Sequence, residues 1–249
     1  MRVRFRLMGT ALLILIAVSG IAAALLAMAG ARHYFLDRSR LRLHPDNSEF
    51  YAAQNRALPV AARRIVVFGD SRAAQWADVL QVPGAQVVNR GISGETTAQM
   101  ALRFERDVIA LKPQIVVIQA GINDLVAASV LPDDERTAVE AVKARLDRFM
   151  TASRAAGATV VPMTVVRPAA PPLWRRLVWS DRVFDLADEV NSHIRGLAGP
   201  GIFVLDADAL LSGGGPLPPR YSTDTLHLSA TAHEALSREL QKIAAAGPN

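Results

Sequence analysis

The stretch that decides the fold is residues 65–71, IVVFGDS, an apolar run that ends at a glycine and two polar residues. Continuous runs of β-branched and aromatic residues are typical of strands that are covered on both faces. Four later runs have the same character, at Gln86–Asn89, Ile115–Ile118, Thr159–Thr164 and Ile202–Leu205. The sequence therefore predicts five buried parallel strands.

Helical patterns lie between and after these strands. Apolar residues recur at helical spacing in four segments, Thr97–Leu111, Arg136–Ala156, Phe184–Leu197 and Ser229–Ala245. Ser229 is a candidate N-cap for the last segment. Strands that alternate with helices imply parallel pairing through right-handed crossovers. The predicted fold class is therefore α/β, as a three-layer α/β/α sandwich with a five-stranded parallel sheet.

Three short polar blocks directly follow the first three strands. Ser71 comes after the first strand, Gly94 after the second and Asn123 after the third. In an open parallel sheet, the ligand crevice lies outside the carboxyl ends of the strands. We therefore expect these three residues to meet at one edge, although they are distant in the sequence.

A fourth block, DTLH at residues 224–227, adds a histidine with a carboxylate three residues before it. The Ser71 hydroxyl could act as a nucleophile, with His227 as its base and Asp224 as the group that orients the imidazole. The backbone N–H groups of Ser71 and Gly94 and the amide of Asn123 could stabilise an oxyanion. Each residue alone also has a plainer role, as a helix N-cap, a turn glycine or an Asx turn.

In this order and at these spacings, the four blocks resemble the SGNH (GDSL-type) hydrolase superfamily, over about Arg64 to Leu240. Residues 89–97, NRGISGETT, are especially similar to members of the thioesterase/lysophospholipase and acetylhydrolase types. The resemblance implies a flavodoxin-like SGNH hydrolase fold. It also implies the site residues, with Ser71, Asp224 and His227 as the triad and Ser71, Gly94 and Asn123 as the oxyanion donors.

Two positions depart from the family's pattern. Arg72 stands where the family usually has an apolar residue, and Thr225 stands where it often has glycine. Neither departure removes a catalytic group. We expect Arg72 to point to solvent as a charge on the helix face. The alternative hypothesis makes it a substrate-binding residue for anionic esters.

Residues 168–185 follow the fourth strand and so belong to the same edge of the sheet. They contain Trp174 and Trp179 among arginines and prolines. Both tryptophans are candidate substrate-binding residues, in a lid or at a membrane interface. Packing of the tryptophans over the core is the plainer interpretation.

The N-terminal segment predicts a membrane helix. Arginines at positions 2, 4 and 6 precede the uncharged run Leu7–Ala31, which is long enough to cross a bilayer. We expect an uncleaved single-pass anchor at 1–31, a juxtamembrane connector at 32–63 and the hydrolase domain at 64–249. The alternative is secretion after signal cleavage near Ala27–Ala29. Both flanks of the run are basic, so the positive-inside rule does not decide the orientation of the helix. From the N-tail, whose only charged residues are arginines, we expect an extracytoplasmic (periplasmic) domain.

Composition excludes other classes. The seven arginines and one aspartate before residue 46 carry the basic charge, and the remainder holds 21 basic against 22 acidic residues. Nucleic-acid binding is therefore not expected. Cysteine is absent, which excludes disulfides and Cys-based zinc sites. No metal and no cofactor are expected.

These observations predict a membrane-anchored serine esterase or acylhydrolase. Its substrates would be short O-acyl groups on envelope glycans, or lipid and lysolipid esters. An O-acyltransferase would use the same residues, so the sequence does not separate the two activities. A non-catalytic subunit of an envelope complex is the third hypothesis.

Overall fold

The computed structural model describes residues 12–30, 32, 47, 49–131, 133–177 and 179–246, with the backbone alone at Trp174 and Leu177. The chain divides into two compact units, Met1–Asp46 and Asn47–Asn249. The predicted basic flank of the first helix (Arg2, Arg4, Arg6) and the connector arginines (Arg38, Arg40, Arg42) lie outside the described residues.

The first unit contains the described helix α1 (Leu12–Gly30), 19 residues long and exposed along its whole length. At about 1.5 Å per residue, this length corresponds to about 28 Å, close to the ~30 Å hydrocarbon core of a bilayer. The helix is therefore a candidate membrane span, and a signal sequence would have the same form.

The second unit is built around a four-stranded parallel sheet. Its strands are β1 (Arg64–Gly69), β2 (Gln86–Gly91), β3 (Ile115–Gln119) and β4 (Thr159–Pro162), in the order β2-β1-β3-β4. Gly69 at the end of β1 is paired with Gly91 of β2 and Gln119 of β3. Because three strands end in register, the polar blocks that follow them emerge at one edge.

The helices of this unit are α2 (Ala52–Ala57), α3 (Ser71–Ala77), α4 (Thr97–Asp107), α5 (Ile122–Ala128), α6 (Glu135–Ala155), α7 (Arg182–Arg195), α8 (Ala207–Leu211) and α9 (Ala230–Ala246). Short 3₁₀ turns lie at Ile109–Leu111, Leu173–Leu177 and Pro219–Tyr221. The Ser229 hydroxyl accepts a hydrogen bond from the Ala232 N–H at 3.3 Å, which confirms it as the N-cap of α9.

Alternate residues of a strand point to opposite faces of the sheet, and both faces here carry apolar side chains. Helices therefore cover both faces. Val66 and Phe68 of β1 pack with α4, α5, α6 and α7 in one hydrophobic cluster. Ile65 and Val67 pack with α3, α8 and α9 in the other. The predicted α/β fold with a parallel sheet and two helical layers is thereby confirmed.

The predicted fifth strand, Ile202–Leu205, is not formed as a regular strand. It lies beside β4 but pairs with it only where Ile202 faces Val160 and Leu205 faces Met163. The Val160 N–H donates to the carbonyl oxygen of Gly201, directly before this segment, and the Thr164 N–H donates to that of Leu205. Pro162 lies between them and has no N–H, so the ladder is interrupted at its middle. The prediction of five regular strands is therefore corrected to four.

The first predicted helix is shorter than its pattern indicates. It ends at Asp107, the backbone leaves helical geometry at Val108, and a 3₁₀ turn leads to Lys112 in the left-handed conformation. The apolar periodicity continues through this turn because Val108 and Leu111 remain buried there.

Residues before β1 also pack on the domain. Tyr51 is buried, and its hydroxyl donates to the carbonyl oxygen of Gly91 at 2.6 Å. The side-chain amide of Asn55 donates to Asp107 Oδ1 at 2.7 Å. Part of the segment that the sequence assigns to a connector thus contacts the end of β2 and of α4.

Candidate active site

Ser71 is the first residue of α3 and follows β1 after one intervening aspartate. The turn is tight, since a Cβ on Gly69 would lie 2.0 Å from the carbonyl oxygen of Gln119. A Cβ on Gly91 would lie 2.3 Å from the backbone nitrogen of Ala74. These two glycines let α3 begin close against the ends of three strands. Ser71 itself is 9% exposed at the edge of the sheet.

Asp70, not Ser71, is the N-cap of α3. Its Oδ1 accepts a hydrogen bond from the Arg72 N–H at 2.9 Å, and the side chain is 1% exposed. Burial raises the pKa of Asp70 to about 6, although the Arg72 charge and this hydrogen bond oppose the shift. The N-cap role that the sequence allowed for Ser71 therefore falls to its neighbour.

Gly94 lies in the exposed turn between β2 and α4. Its φ of +81° is in the left-handed region, and a Cβ there would meet no atom within 4 Å. Backbone conformation, and not space, therefore favours glycine at this position. The helix that follows is fixed by a capping box, in which Thr96 and Gln99 exchange side-chain and backbone hydrogen bonds.

Asn123 is held against the Gly94 turn. Its side-chain amide donates to the carbonyl oxygen of Glu95 at 2.9 Å. The next residue, Asp124, accepts from the N–H of Thr97 at 2.9 Å and from its hydroxyl at 2.7 Å. The second and third polar blocks are thus joined at two points.

A buried charged cluster lies beneath these blocks, and the sequence analysis did not identify it. Arg103 of α4 pairs with Glu95 at 2.5 Å and with Asp107 at 3.3 Å, all three being buried. The same guanidinium donates to the carbonyl oxygen of Gly69 at 3.3 Å. Arg103 therefore connects the end of β1 to the residue that follows Gly94. Its helical phase, one turn from Met100 on the buried face, is the signal that could have revealed it.

Asp224 and His227 form a hydrogen-bonded pair on one short loop. Asp224 Oδ2 lies 2.7 Å from His227 Nδ1, and Asp224 Oδ1 accepts from the N–H groups of Leu226 and His227 at 2.7 and 2.8 Å. Burial opposes ionisation of Asp224, but these hydrogen bonds outweigh it and lower its pKa to about 2. The carboxylate is therefore ionised at neutral pH and orients the imidazole.

The prediction that Arg72 points to solvent is wrong. Its side chain is 2% exposed and lies across the site. Arg72 Nε donates to the carbonyl oxygen of Leu226 at 2.7 Å, and Nη1 donates to that of Val166 at 2.6 Å. Helix phase alone did not reveal this, because the loops that bury Arg72 are distant in sequence.

Ser71 and His227 are brought together through their neighbours. Among the described residues, the structure contains no hydrogen bond between Ser71 Oγ and His227 Nε2. The link runs instead from Arg72, directly after Ser71, to Leu226, directly before His227. Catalytic hydrogen bonds are often long or poorly aligned without substrate, so the missing bond does not exclude a pairing of these two side chains.

Trp179 packs over the hydrophobic core. Its ring joins the cluster between the sheet and α4–α7, and the Arg175 guanidinium lies 5.0 Å from the ring centroid. This contact favours the packing interpretation for Trp179. The Trp174 side chain lies outside the described part of the structure. Among the described residues, no group of three or more His, Cys, Asp or Glu side chains is placed to hold a metal ion.

The arrangement combines a serine at a helix start, a carboxylate-oriented histidine and an amide beside an exposed turn. Comparison with known families agrees with this chemistry. The family described as GDSL-like lipase/acylhydrolase matches residues 53–235, well over half of the chain.

The chain is also similar to a solved structure and to a curated protein. A GDSL-like lipase from Bacteroides thetaiotaomicron overlays with a TM-score of 0.61 at 25% identity, covering 80% of this chain and 97% of that one. An uncharacterised lipoprotein of Bacillus subtilis is 30% identical over 118 residues, 41% of this chain and 48% of that protein.

Acetylxylan esterases of Geobacillus stearothermophilus are also similar. One is 55% identical over 42 residues, 17% of this chain and 19% of that protein. A solved structure of an acetylxylan esterase from this organism overlays with a TM-score of 0.53 at 21% identity, covering 73% of this chain and 94% of that one, which shows a shared fold. The chain spans less than half the length of the curated relatives it matches.

Proposed function

Because the chain belongs to the GDSL-like lipase/acylhydrolase family, we propose that it is a serine esterase acting through Ser71, His227 and Asp224. The observation that carries the proposal is the 2.7 Å hydrogen bond between Asp224 Oδ2 and His227 Nδ1. It leaves Nε2 as the unprotonated nitrogen of the neutral ring, which is the form that accepts a proton from a serine hydroxyl.

In the proposed reaction, Ser71 Oγ attacks the ester carbonyl while His227 Nε2 takes the hydroxyl proton. The tetrahedral intermediate collapses, the alkoxide leaves with the proton from His227, and the acyl group remains on Ser71. Water then attacks the acyl-enzyme with His227 again as base. The carboxylic acid departs and the Ser71 hydroxyl is restored.

Three donors are available for the oxyanion. The N–H of Ser71 is at the first position of α3, where no helical acceptor exists. The N–H of Gly94 lies in an exposed turn. One hydrogen of the Asn123 amide is used by Glu95, which leaves the second for a ligand. Removing one such donor from a hydrolase costs about 2.7–4 kcal/mol of transition-state stabilisation.

For the substrate, we propose short O-acyl groups carried on envelope glycans. The acetylxylan esterase likeness supports this choice over lipid esters. Packing of Trp179 on the core weakens its interpretation as part of a substrate lid or membrane contact. Lipid and lysolipid esters remain the second class to be assayed.

We also propose that α1 anchors the chain with its domain on the extracytoplasmic side. The length of α1 and the curated relative named as a lipoprotein support attachment to a membrane. The chain has no cysteine, so Gln54→Cys at an exposed position introduces a unique thiol. Labelling by an impermeant reagent in intact spheroplasts is expected, and labelling only after permeabilisation would contradict this topology.

The activity is tested with p-nitrophenyl esters of rising acyl length and with acetylated xylan, using the full chain in detergent. We expect the highest kcat/KM for acetyl and propionyl esters, release of acetate from the polymer, and no activity in Ser71→Ala. A maximum at long acyl chains would overturn the glycan assignment.

The same assay separates the remaining alternatives. An acyltransferase would move the acetyl group to an added acceptor glycan in preference to water, so products are analysed with and without acceptor. A non-catalytic subunit would release no acetate beyond the Ser71→Ala background.

A further inference from the structure

Arg72 lies between the two halves of the site, and no catalytic step assigns it a task. It directly follows Ser71, and its side chain reaches the loop that carries His227. The guanidinium spans two backbone carbonyls, those of Leu226 and Val166, from loops that are separate in sequence. With 2% of its surface exposed, it is closed to an anionic substrate group.

The histidine loop has few other hydrogen bonds to the rest of the domain. The Ala169 N–H donates to the carbonyl oxygen of Thr225 at 2.8 Å, and the bonds to Asp224 lie within the loop itself. In the part of the chain that the structure describes, Arg72 is the one side chain outside residues 218–229 that hydrogen-bonds to residues 224–227. One side chain therefore joins this loop to the helix of Ser71.

We propose that Arg72 is a positioning residue, whose guanidinium sets the separation between Ser71 Oγ and His227 Nε2. This inference rests on the proposed function, because it needs Ser71 and His227 to exchange a proton. A misplacement of about 1 Å in a catalytic group can lower a rate by about 10²-fold. The hydrogen bonds of Arg72 thus contribute to kcat without contact with the substrate.

The geometry calls for arginine in particular. Two carbonyl oxygens on different loops are met by Nε and Nη1, two donors with a fixed angle between them. A lysine ammonium can reach one of these oxygens but offers no rigid fork. Burial lowers the pKa of Arg72 to about 10, and the charges of Asp70, Asp224 and Asp208 oppose this shift, so the side chain keeps its charge at neutral pH.

The test compares Arg72→Met and Arg72→Lys with Arg64→Met. Arg64 is the matched control, since its guanidinium also donates to backbone carbonyls, those of Leu111 and Pro59, at the opposite end of β1. That end lies about 17 Å from the site by strand length. We expect kcat for p-nitrophenyl acetate to fall about 10²-fold in Arg72→Met and about 10-fold in Arg72→Lys, with KM unchanged. Arg64→Met keeps the kcat of the wild type.

The pH profile separates positioning from electrostatics. Because Arg72→Lys keeps the positive charge beside Asp70 and Asp224 but loses the rigid pair of donors, we expect it to lower the plateau of kcat/KM and to leave the midpoint of its acidic limb in place. A shifted midpoint in Arg72→Lys, a raised KM with unchanged kcat, or a kcat of Arg72→Met equal to that of Arg64→Met would overturn the inference. The variant His227→Ala separates failure of this inference from failure of the proposed function. If His227→Ala kept its activity, the proposed triad would be wrong, whatever the effect of the Arg72 variants.

Discussion

Asp70→Asn is expected to change the way in which the free energy of unfolding depends on pH. The wild-type carboxyl is buried, and burial raises its pKa from 3.8 to about 6 against the opposing effects of Arg72. Asparagine has nearly the same shape and can keep the N-cap hydrogen bond to the Arg72 N–H. The substitution therefore removes a titration while it preserves the local contacts.

The sign and size follow from linkage between protonation and folding. A raised pKa means that folded protein binds the proton more tightly than unfolded protein. The protonated carboxyl of Asp70 therefore stabilises the folded state fully below about pH 4, and this contribution is lost as the pH rises to about 6. Arg72, with a pKa of about 10, keeps its charge across this pH range. A shift of about two pKa units corresponds to about 3 kcal/mol. Relative to Asp70→Asn, the wild type should lose about that amount between pH 3.5 and 7.

The assay is urea unfolding at a series of pH values, followed by tryptophan fluorescence. Trp76 is a suitable reporter because it is fully buried in α3, the helix that Asp70 caps. Above pH 7 the two stability curves should run parallel, which is the internal control. Curves that remain parallel from pH 3.5 to 7 would refute a buried, titrating Asp70.

Three further substitutions test separate parts of the site. Asp224→Asn should lower kcat about 10⁴-fold at pH 8, because a carboxamide N–H facing Nδ1 forces the His227 proton onto Nε2. A loss of less than 10-fold in steady-state kinetics would count against a catalytic role of the Asp224–His227 pair. Asn123→Ala should lower kcat about 10²–10³-fold with little change in KM, and a change confined to KM would remove it from the oxyanion donors. Tyr51→Phe removes the hydrogen bond to Gly91 O and should cost about 1 kcal/mol in urea unfolding with full esterase activity; a lost activity would show that this contact supports the site.

The parts of the fold that local sequence determines were predictable. The apolar runs of β1 to β4 need no distant partner to be recognised, and parallel pairing then brings Ser71, Gly94 and Asn123 to one edge. The interrupted fifth strand depends instead on Pro162, whose missing N–H faces that segment across the sheet. An isolated apolar run at residues 202–205 does not reveal what lies beside it.

The buried charges of the site were beyond the local pattern. The carbonyl groups that accept hydrogen bonds from Arg72 are 154 and 94 residues away in the sequence. Its burial depends on where those loops lie, and the spacing of residues along α3 does not indicate this. Arg103 is different, because it shares the buried face of α4 with Met100 and Phe104 while Leu102 is 62% exposed. Helical spacing alone would therefore have placed Arg103 on the buried face of α4, but a charged residue is not normally expected there.

The most direct test of the central claim is covalent labelling of the full chain by a fluorophosphonate, followed by intact-mass and peptide analysis. The proposed mechanism predicts one adduct per chain on the hydroxyl of Ser71, slowed labelling in His227→Ala and no adduct in Ser71→Ala. Equal labelling of the wild type and Ser71→Ala, or an unlabelled wild type that still hydrolyses acetyl esters, would contradict a Ser71 nucleophile.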